Sequence, residues 1–302
     1  MDQMASIGFN PKGFDRLLAT RFYTQIVQPQ LEYGLAISLL SAKDIQQLES
    51  CQNTCIRRMF GGSSRSSVKV MLHMVNQPSM KVRVSILHAQ FVFRAIDLPD
   101  DTLLAKLLPE LQASIFNTQW YKLIQTPCWR LCAANSIPLD QRSFRKHRQE
   151  FLEESFQQLR DETHSFLLSS CRPNLIIDPI LWLPMTHSER SRTIRWRLGW
   201  LPGGIPKACP YHPYVRFSRS HATECLHMHT RSFLPRSIAD LLSFLLNHLP
   251  QHKHQNSQDV SAWFYRWPVM CTILQEMDYL MHDKLPPPLL DPGRKLLNWL
   301  SL

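Results

Sequence analysis

Apolar residues recur three and four positions apart through most of this chain, a spacing that predicts helix after helix rather than strands. A first helix is expected from about Phe14 through "RLLATRFYTQIVQPQLEYGLAIS", kinked or restarted at Pro29, which lacks the amide hydrogen a helix interior uses. Ser41 is placed to cap a second helix with an inner face of Ile45, Leu48, Cys55, Ile56 and Met59, stopped by Gly61 and Gly62. From Ser79 the residues Met80, Val84, Leu87, Phe91 and Ala95 step by four and three, and Val82, Ile86, Val92 and Phe93 leave little polar surface between them. That helix is expected at the centre of a core. Asp100 and Asp101 are expected to cap "TLLAKLLPEL", and after a less regular span a long polar helix should run from about Gln141 to Leu168.

The stretch "RPNLIIDPILWLP" breaks the pattern, because Pro173, Pro179 and Pro184 with a short apolar run do not make a long helix; it reads as an extended linker. The expected organisation is a helical domain over residues 1–171, a Pro-rich linker over 172–187 and a smaller helical region over 188–302. The last contains a basic helix from Ser188, a Cys/His loop, an apolar helix from Pro235 to Leu249, the polar link "PQHKHQNSQD", and C-terminal helices broken by "PPP" at 286–288. With only 9 glycines and no repeat at a solenoid period, the fold class expected is all-α.

Composition adds a partner. Across 302 residues, 34 Lys and Arg stand against 24 Asp and Glu, and a formal charge of +10 favours polyanions, RNA or DNA above all. The opening "MDQMASIGFNPKGFD" has no apolar h-region, and no uncharged apolar run reaches about 18 residues, so neither export nor a membrane partner is expected. The expected location is intracellular, with the nucleus open to a nucleic-acid binder, and the thiols reduced. Cys51 with Cys55, and Cys128 with Cys132, are four apart and read as small core residues on a helix face.

The chemistry concentrates in "CPYHPYVRFSRSHATEC". Cys209-x2-His212-x8-His221-x3-Cys225 supplies two ligand pairs, one aimed by a tight turn and one by a helical turn, as a tetrahedral structural zinc ion requires. Pro210 and Pro213 stiffen the first pair, Gly203 and Gly204 permit a sharp entry, and His227 and His229 are alternative ligands. Upstream, "SERSRTIRWRLGWLPGG" sets Arg190, Arg192, Arg195 and Arg197 around Trp196 and Trp200. Guanidinium forks match phosphates and indoles stack on bases, so this is the expected nucleic-acid surface, the alternative being a solvated face with the tryptophans in the core. The run "RSFRKHRQEF" is a second, weaker basic patch, its charge partly met by its own helix. Catalysis finds no motif: there is no phosphate-binding glycine loop, no G-x-S-x-G and no His-Glu-x-x-His. Asp178 lies alone in an apolar run, and no small-molecule substrate is expected.

The run "IGFNPKGFDRLLATRFYTQIVQPQLEYGLAIS" followed by "LESCQNTCIRRMFGG" resembles the segment after the polymerase palm in non-LTR (LINE-type) retrotransposon reverse transcriptases. The likeness is good over about residues 7–100, fair over 188–250 and poor between. It implies a thumb-like helical bundle that cradles a nucleic-acid duplex, with Arg57 and Arg58 in the contacting block, followed by a zinc knuckle. His212 stands where the family usually has cysteine, and the last spacing is three residues rather than four. The family's aromatic-x-Asp-Asp strand has no counterpart in the sequence, so the resemblance implies a non-catalytic C-terminal part that contacts template RNA or target DNA. The competing expectation is a helical protein-interaction scaffold or a degenerate remnant whose Cys/His pairs are incidental.

Overall fold

The structure is a computed structural model that describes residues 13–113, 118–135, 139–203, 206–252, 257–282, 284, 287–288 and 290–301. The first residues of the retrotransposon-like run, Gly204 of the knuckle entry and Pro286 of the proline break lie outside those described. Among the described residues the chain is mostly helical, with one isolated antiparallel bridge and no sheet, an all-α protein. It divides into two compact units, Met1–Val68 with Val75–His164, and Lys69–Met74 with Ser165–Leu302.

In the first unit, α1 (Arg16–Phe22) is capped by Asp15, whose carboxylate accepts the Leu18 amide at 2.7 Å. It passes through a π turn at Tyr23–Val27 into α2 (Gln28–Glu32). In a regular α-helix the Pro29 ring would press on the Gln25 carbonyl; the wider turn just before the proline relieves that clash. α3 (Ala42–Phe60) begins in a capping box in which Ser41 and Asp44 satisfy each other's amides. It ends where Gly61 turns left-handed at φ 72°. Its inner face carries Cys55, Ile56 and Met59 as expected, along with Gln52, whose amide donates to the Tyr23 hydroxyl at 3.3 Å and the Pro78 carbonyl at 3.0 Å. Burial pushes the Tyr23 phenol up to about 12.

After α4 (Val68–Met74), which belongs chiefly to the second unit, α5 (Met80–Ile96) is capped by Ser79 and forms the centre of the first unit. Its fully buried positions include Met80, Val84, Ile86, Ala89, Val92 and Ala95, while Leu87 and Phe91, expected innermost, are half-buried. The face is displaced because neighbours enclose the helix on two sides. Met80 and Val84 meet Leu35, while Ile86, Ala89 and Val92 meet Trp120, Leu123, Cys128 and Phe144. α6 (Leu103–Ala113), α7 (Gln119–Ile124), α8 (Pro127–Asn135) and α9 (Gln141–Thr163) complete the unit. Thr102, not Asp100 or Asp101, caps α6, its hydroxyl accepting the Ala105 amide at 3.3 Å. α9 stops at Thr163, five residues before the expected end, because His164 is left-handed at φ 42°. Cys128 and Cys132 are buried packing residues, as is Cys55, but Cys51 is exposed.

The second unit continues with α10 (Phe166–Ser169), a 3-10 turn at Pro179–Leu181, α11 (His187–Arg197), α12 (Arg219–Cys225), α13 (Met228–Ser232), α14 (Leu241–Asn247), α15 (Ser257–Leu280) and α16 (Arg294–Ser301). Residues 172–187 lie inside this unit: Ile180, Leu181, Leu183 and Met185 are core residues, which an extended linker would leave in water. α15 is its central element, burying Trp263, Trp267, Met270, Ile273, Leu274 and Met277 against α11, α13 and α16. Glu189 is buried at the start of α11, accepting the Thr186 amide at 2.7 Å and the Gly293 amide at 2.8 Å. Gly293 is required there, since a Cβ would lie 2.2 Å from the Trp267 ring.

The core of the first unit gives a direct check. Ile86→Ala empties a fully buried site and is expected to cost about 2–5 kcal/mol, with a smaller loss for half-buried Leu87→Ala, as measured by chemical denaturation.

Candidate metal centre

The knuckle is built by backbone bonds that bring Cys209 and His212 to one point. The Cys209 amide donates to Val215 O at 2.8 Å, the His212 amide to Cys209 O at 3.1 Å and the Val215 amide to His212 O at 2.9 Å. An antiparallel bridge between Ala208 and Arg216 closes the base. Ser218 then caps α12, its hydroxyl accepting the His221 amide at 3.2 Å. Positions i and i+4 of that helix put His221 and Cys225 on the same face.

The four side chains converge, with one ligand atom from each lying within 4.8 Å of all the others. Cys209 Sγ is 3.6 Å from Cys225 Sγ and 3.7 Å from His212 Nδ1. A tetrahedral ion bonded to sulfur at about 2.3 Å and to nitrogen at about 2.0–2.1 Å sets these separations near about 3.8 Å and about 3.5 Å. His221 Nε2 is buried without a hydrogen-bond partner, and its ring stands edge-on to that of His212 at 5.1 Å. An orphaned imidazole nitrogen beside two close thiols is costly in isolation and is what a metal ion satisfies. Burial, then the neighbouring Cys209, pushes the Cys225 thiol up to about 11; a divalent cation at that point would reverse the effect and hold it as thiolate. The group can therefore bind a metal ion through four protein ligands. His227 and His229 are not part of it.

The arginines that the sequence assigns to a nucleic-acid surface are arranged differently. Arg190 reaches from α11 to the carbonyls of Ile180 and Leu183, both at 2.7 Å, and clamps the 3-10 turn. Arg192 and Arg195 both bind Asp278 of α15, at 3.1 and 2.8 Å. Arg197 is 2% exposed and pairs with Asp178 at 3.2 Å, so Asp178 is not alone. Trp196 is buried, its indole N–H on Ser243 at 3.0 Å. These residues hold the second unit together and do not form an open phosphate-facing surface, because each guanidinium finds an acceptor on a neighbouring element of its own unit. In the first unit Arg57 donates to Ser66 O at 3.2 Å, and Arg57 and Arg58 are both half-buried.

Three residues beside the ligands were not singled out from the sequence. Tyr211 is 58% exposed and Tyr214 fully so, both on the knuckle turn, and Arg216 is exposed at its base. The signal was present, since aromatics alternate with ligands and prolines in a turn too short to have a core of its own. The chain matches no family model, no curated protein and no solved structure. No helix among the described residues is long and apolar enough to cross a membrane.

Two outcomes are expected. Metal uptake at the Cys/His group releases protons, because both thiols bind as thiolates and both imidazoles as the neutral form. Affinity should therefore fall as pH is lowered, and a competition titration with a chromogenic chelator that found pH-independent affinity would contradict the ligand set. Asp178→Asn strands Arg197 in the core and should cost about 3–5 kcal/mol, whereas replacing both Asp178 and Arg197 by leucine should cost less than the single change, as read by urea denaturation.

Proposed function

We propose that this chain is a non-catalytic nucleic-acid-binding protein organised by one structural zinc ion. The carrying observation is the convergence of Cys209, His212, His221 and Cys225 with tetrahedral separations in a strongly basic chain. Two thiolates and two imidazoles suit borderline-soft zinc in four-coordinate geometry, and four protein ligands leave no open position for a reacting water. When bound, the ion supplies a crosslink between the knuckle turn and α12. Its partner is RNA or DNA: Tyr211 and Tyr214 offer exposed rings to unpaired bases, and Arg216 offers a cation for the adjoining phosphate. This reading agrees with the resemblance to the thumb and knuckle of LINE-type reverse transcriptases, and with an intracellular, nuclear place of action.

A second reading, a helical protein-interaction scaffold, is favoured by the inward arginines of α11 and by the apolar side chains of Leu18, Tyr33, Ile37 and Leu39, all exposed in the first unit. Metal analysis beside RNA-binding titrations separates the two. The nucleic-acid reading expects one zinc per chain, loss of zinc and weaker binding in Cys225→Ser, and weaker binding with full zinc retention in the Tyr211→Ala/Tyr214→Ala variant. Each lost base stack should cost about 1–3 kcal/mol. Undetectable RNA binding at low salt, or zinc well below one per chain, favours the scaffold.

A further inference from the structure

We infer that the N-terminal half of α9 is a second nucleic-acid contact, one that binds the phosphate backbone without reading bases. Arg142, Arg145, Lys146 and Arg148 fall within seven residues that contain no carboxylate. Arg142, Arg145 and Lys146 are exposed and Arg148 is half-buried. Neither Arg142, Arg145 nor Arg148 has an ion pair among the described residues, and Lys146 only approaches Glu150 at 3.7 Å with its side chain 73% exposed. His147, the remaining titratable group on this stretch, is buried and lies 2.8 Å from Glu150, a carboxylate it shares with Lys146. The contrast with the second unit is sharp, since Arg192, Arg195, Arg197, Arg219 and Arg231 each meet an acidic partner there.

Helix stability does not account for this charge. The N-terminal end of a helix carries the positive end of the macrodipole, so cations there are unfavourable and carboxylates favourable. In α9 one carboxylate, the Asp140 cap near Arg142, precedes the cations, while Glu150, Glu153, Glu154, Asp161 and Glu162 follow them in the later turns. The carboxylates of Glu153, Asp161 and Glu162 accept from Gln149, Gln157 and Gln158, one helical turn before each, rather than from the arginines. Unpaired guanidiniums held against the dipole on a rigid helix are an arrangement that an external polyanion stabilises. Planar forks bind phosphate and carboxylate oxygens in pairs alike, so the choice of a nucleic-acid backbone follows from the nucleic-acid reading of the chain, and an acidic protein is the competing outcome of the test. At about 1.5 Å of rise per residue the four cations span about 9 Å, a length over which a nucleic-acid strand presents several phosphates.

The inference rests on the nucleic-acid reading but not on the knuckle, and the two fail differently. The full-length protein is titrated with a uridine-only RNA across a range of salt. Variants are Arg142→Gln/Arg145→Gln/Lys146→Gln, a control with the same charge loss at exposed sites elsewhere in the first unit (Lys43→Gln/Arg94→Gln/Lys106→Gln), and Cys225→Ser. Each lost phosphate contact lowers the logarithmic salt slope by about 0.7, so the α9 variant should lose about 2 from the slope while the control keeps it. The same loss should appear in the Cys225→Ser background whether or not the knuckle binds zinc. An unchanged slope in the α9 variant, an equal loss in the control, or a polyglutamate peptide that competes as well as RNA of equal charge would overturn the α9 site while leaving the knuckle untouched.

Discussion

A guanidinium removed from water must be met by acceptors, and the second unit is arranged around that requirement. Arg172 is 5% exposed and closes the C-terminal end of α14 on the carbonyls of Leu246 and Leu249; burial brings it down to about 10. Arg190 fixes the 3-10 turn, Arg192 and Arg195 dock α11 on α15, and Arg197 closes on Asp178. Arg219 matters most for the metal centre. Its guanidinium lies over the Trp196 ring at 3.9 Å, binds Asp240 at 3.3 Å and donates to the Trp196 carbonyl. As the first residue of α12, it fixes the helix that carries His221 and Cys225. Cation–π contact and ion pairing thus orient His221 and Cys225, half of the candidate ligand set.

The other half is held by the backbone hydrogen bonds of its own turn and by the bridge between Ala208 and Arg216. The turn from Cys209 to Val215 keeps two tyrosines and Val215 in solvent, and Phe217 is the buried residue that anchors its exit. A short segment with so little apolar burial has a small favourable term to set against its ordering entropy, and a metal crosslink would supply what a core does elsewhere. The first unit keeps its own core around α5.

Periodicity identified the helices because apolar spacing and capping residues are local: Ser41 with Asp44, Ser79 and Gly61 all act within one turn. The Cys/His group was legible for the same reason, since each ligand pair is set by a turn or a helix of its own. What could not be read was decided by contacts distant in sequence. Arg192 and Arg195 meet Asp278 more than eighty positions away, while the one adjacent carboxylate, Glu189, turns to backbone amides, so the run of arginines looked free. The second basic run is partly met by its own helix, as read, since Glu150 pairs with Lys146 as well as His147, but Arg142, Arg145 and Arg148 have no ion pair among the described residues. Likewise the prolines of 172–187 suggested an extended linker, whereas Asp178 and Arg190 fold that segment into a turn.

The central claim is that Cys209, His212, His221 and Cys225 hold one zinc ion in a closed tetrahedron. X-ray absorption at the zinc edge on the purified protein tests it most directly. The account predicts two sulfur scatterers at about 2.3 Å and two nitrogen scatterers at about 2.0–2.1 Å, with no oxygen ligand. A shell dominated by oxygen, or one with fewer than two sulfurs, would contradict it.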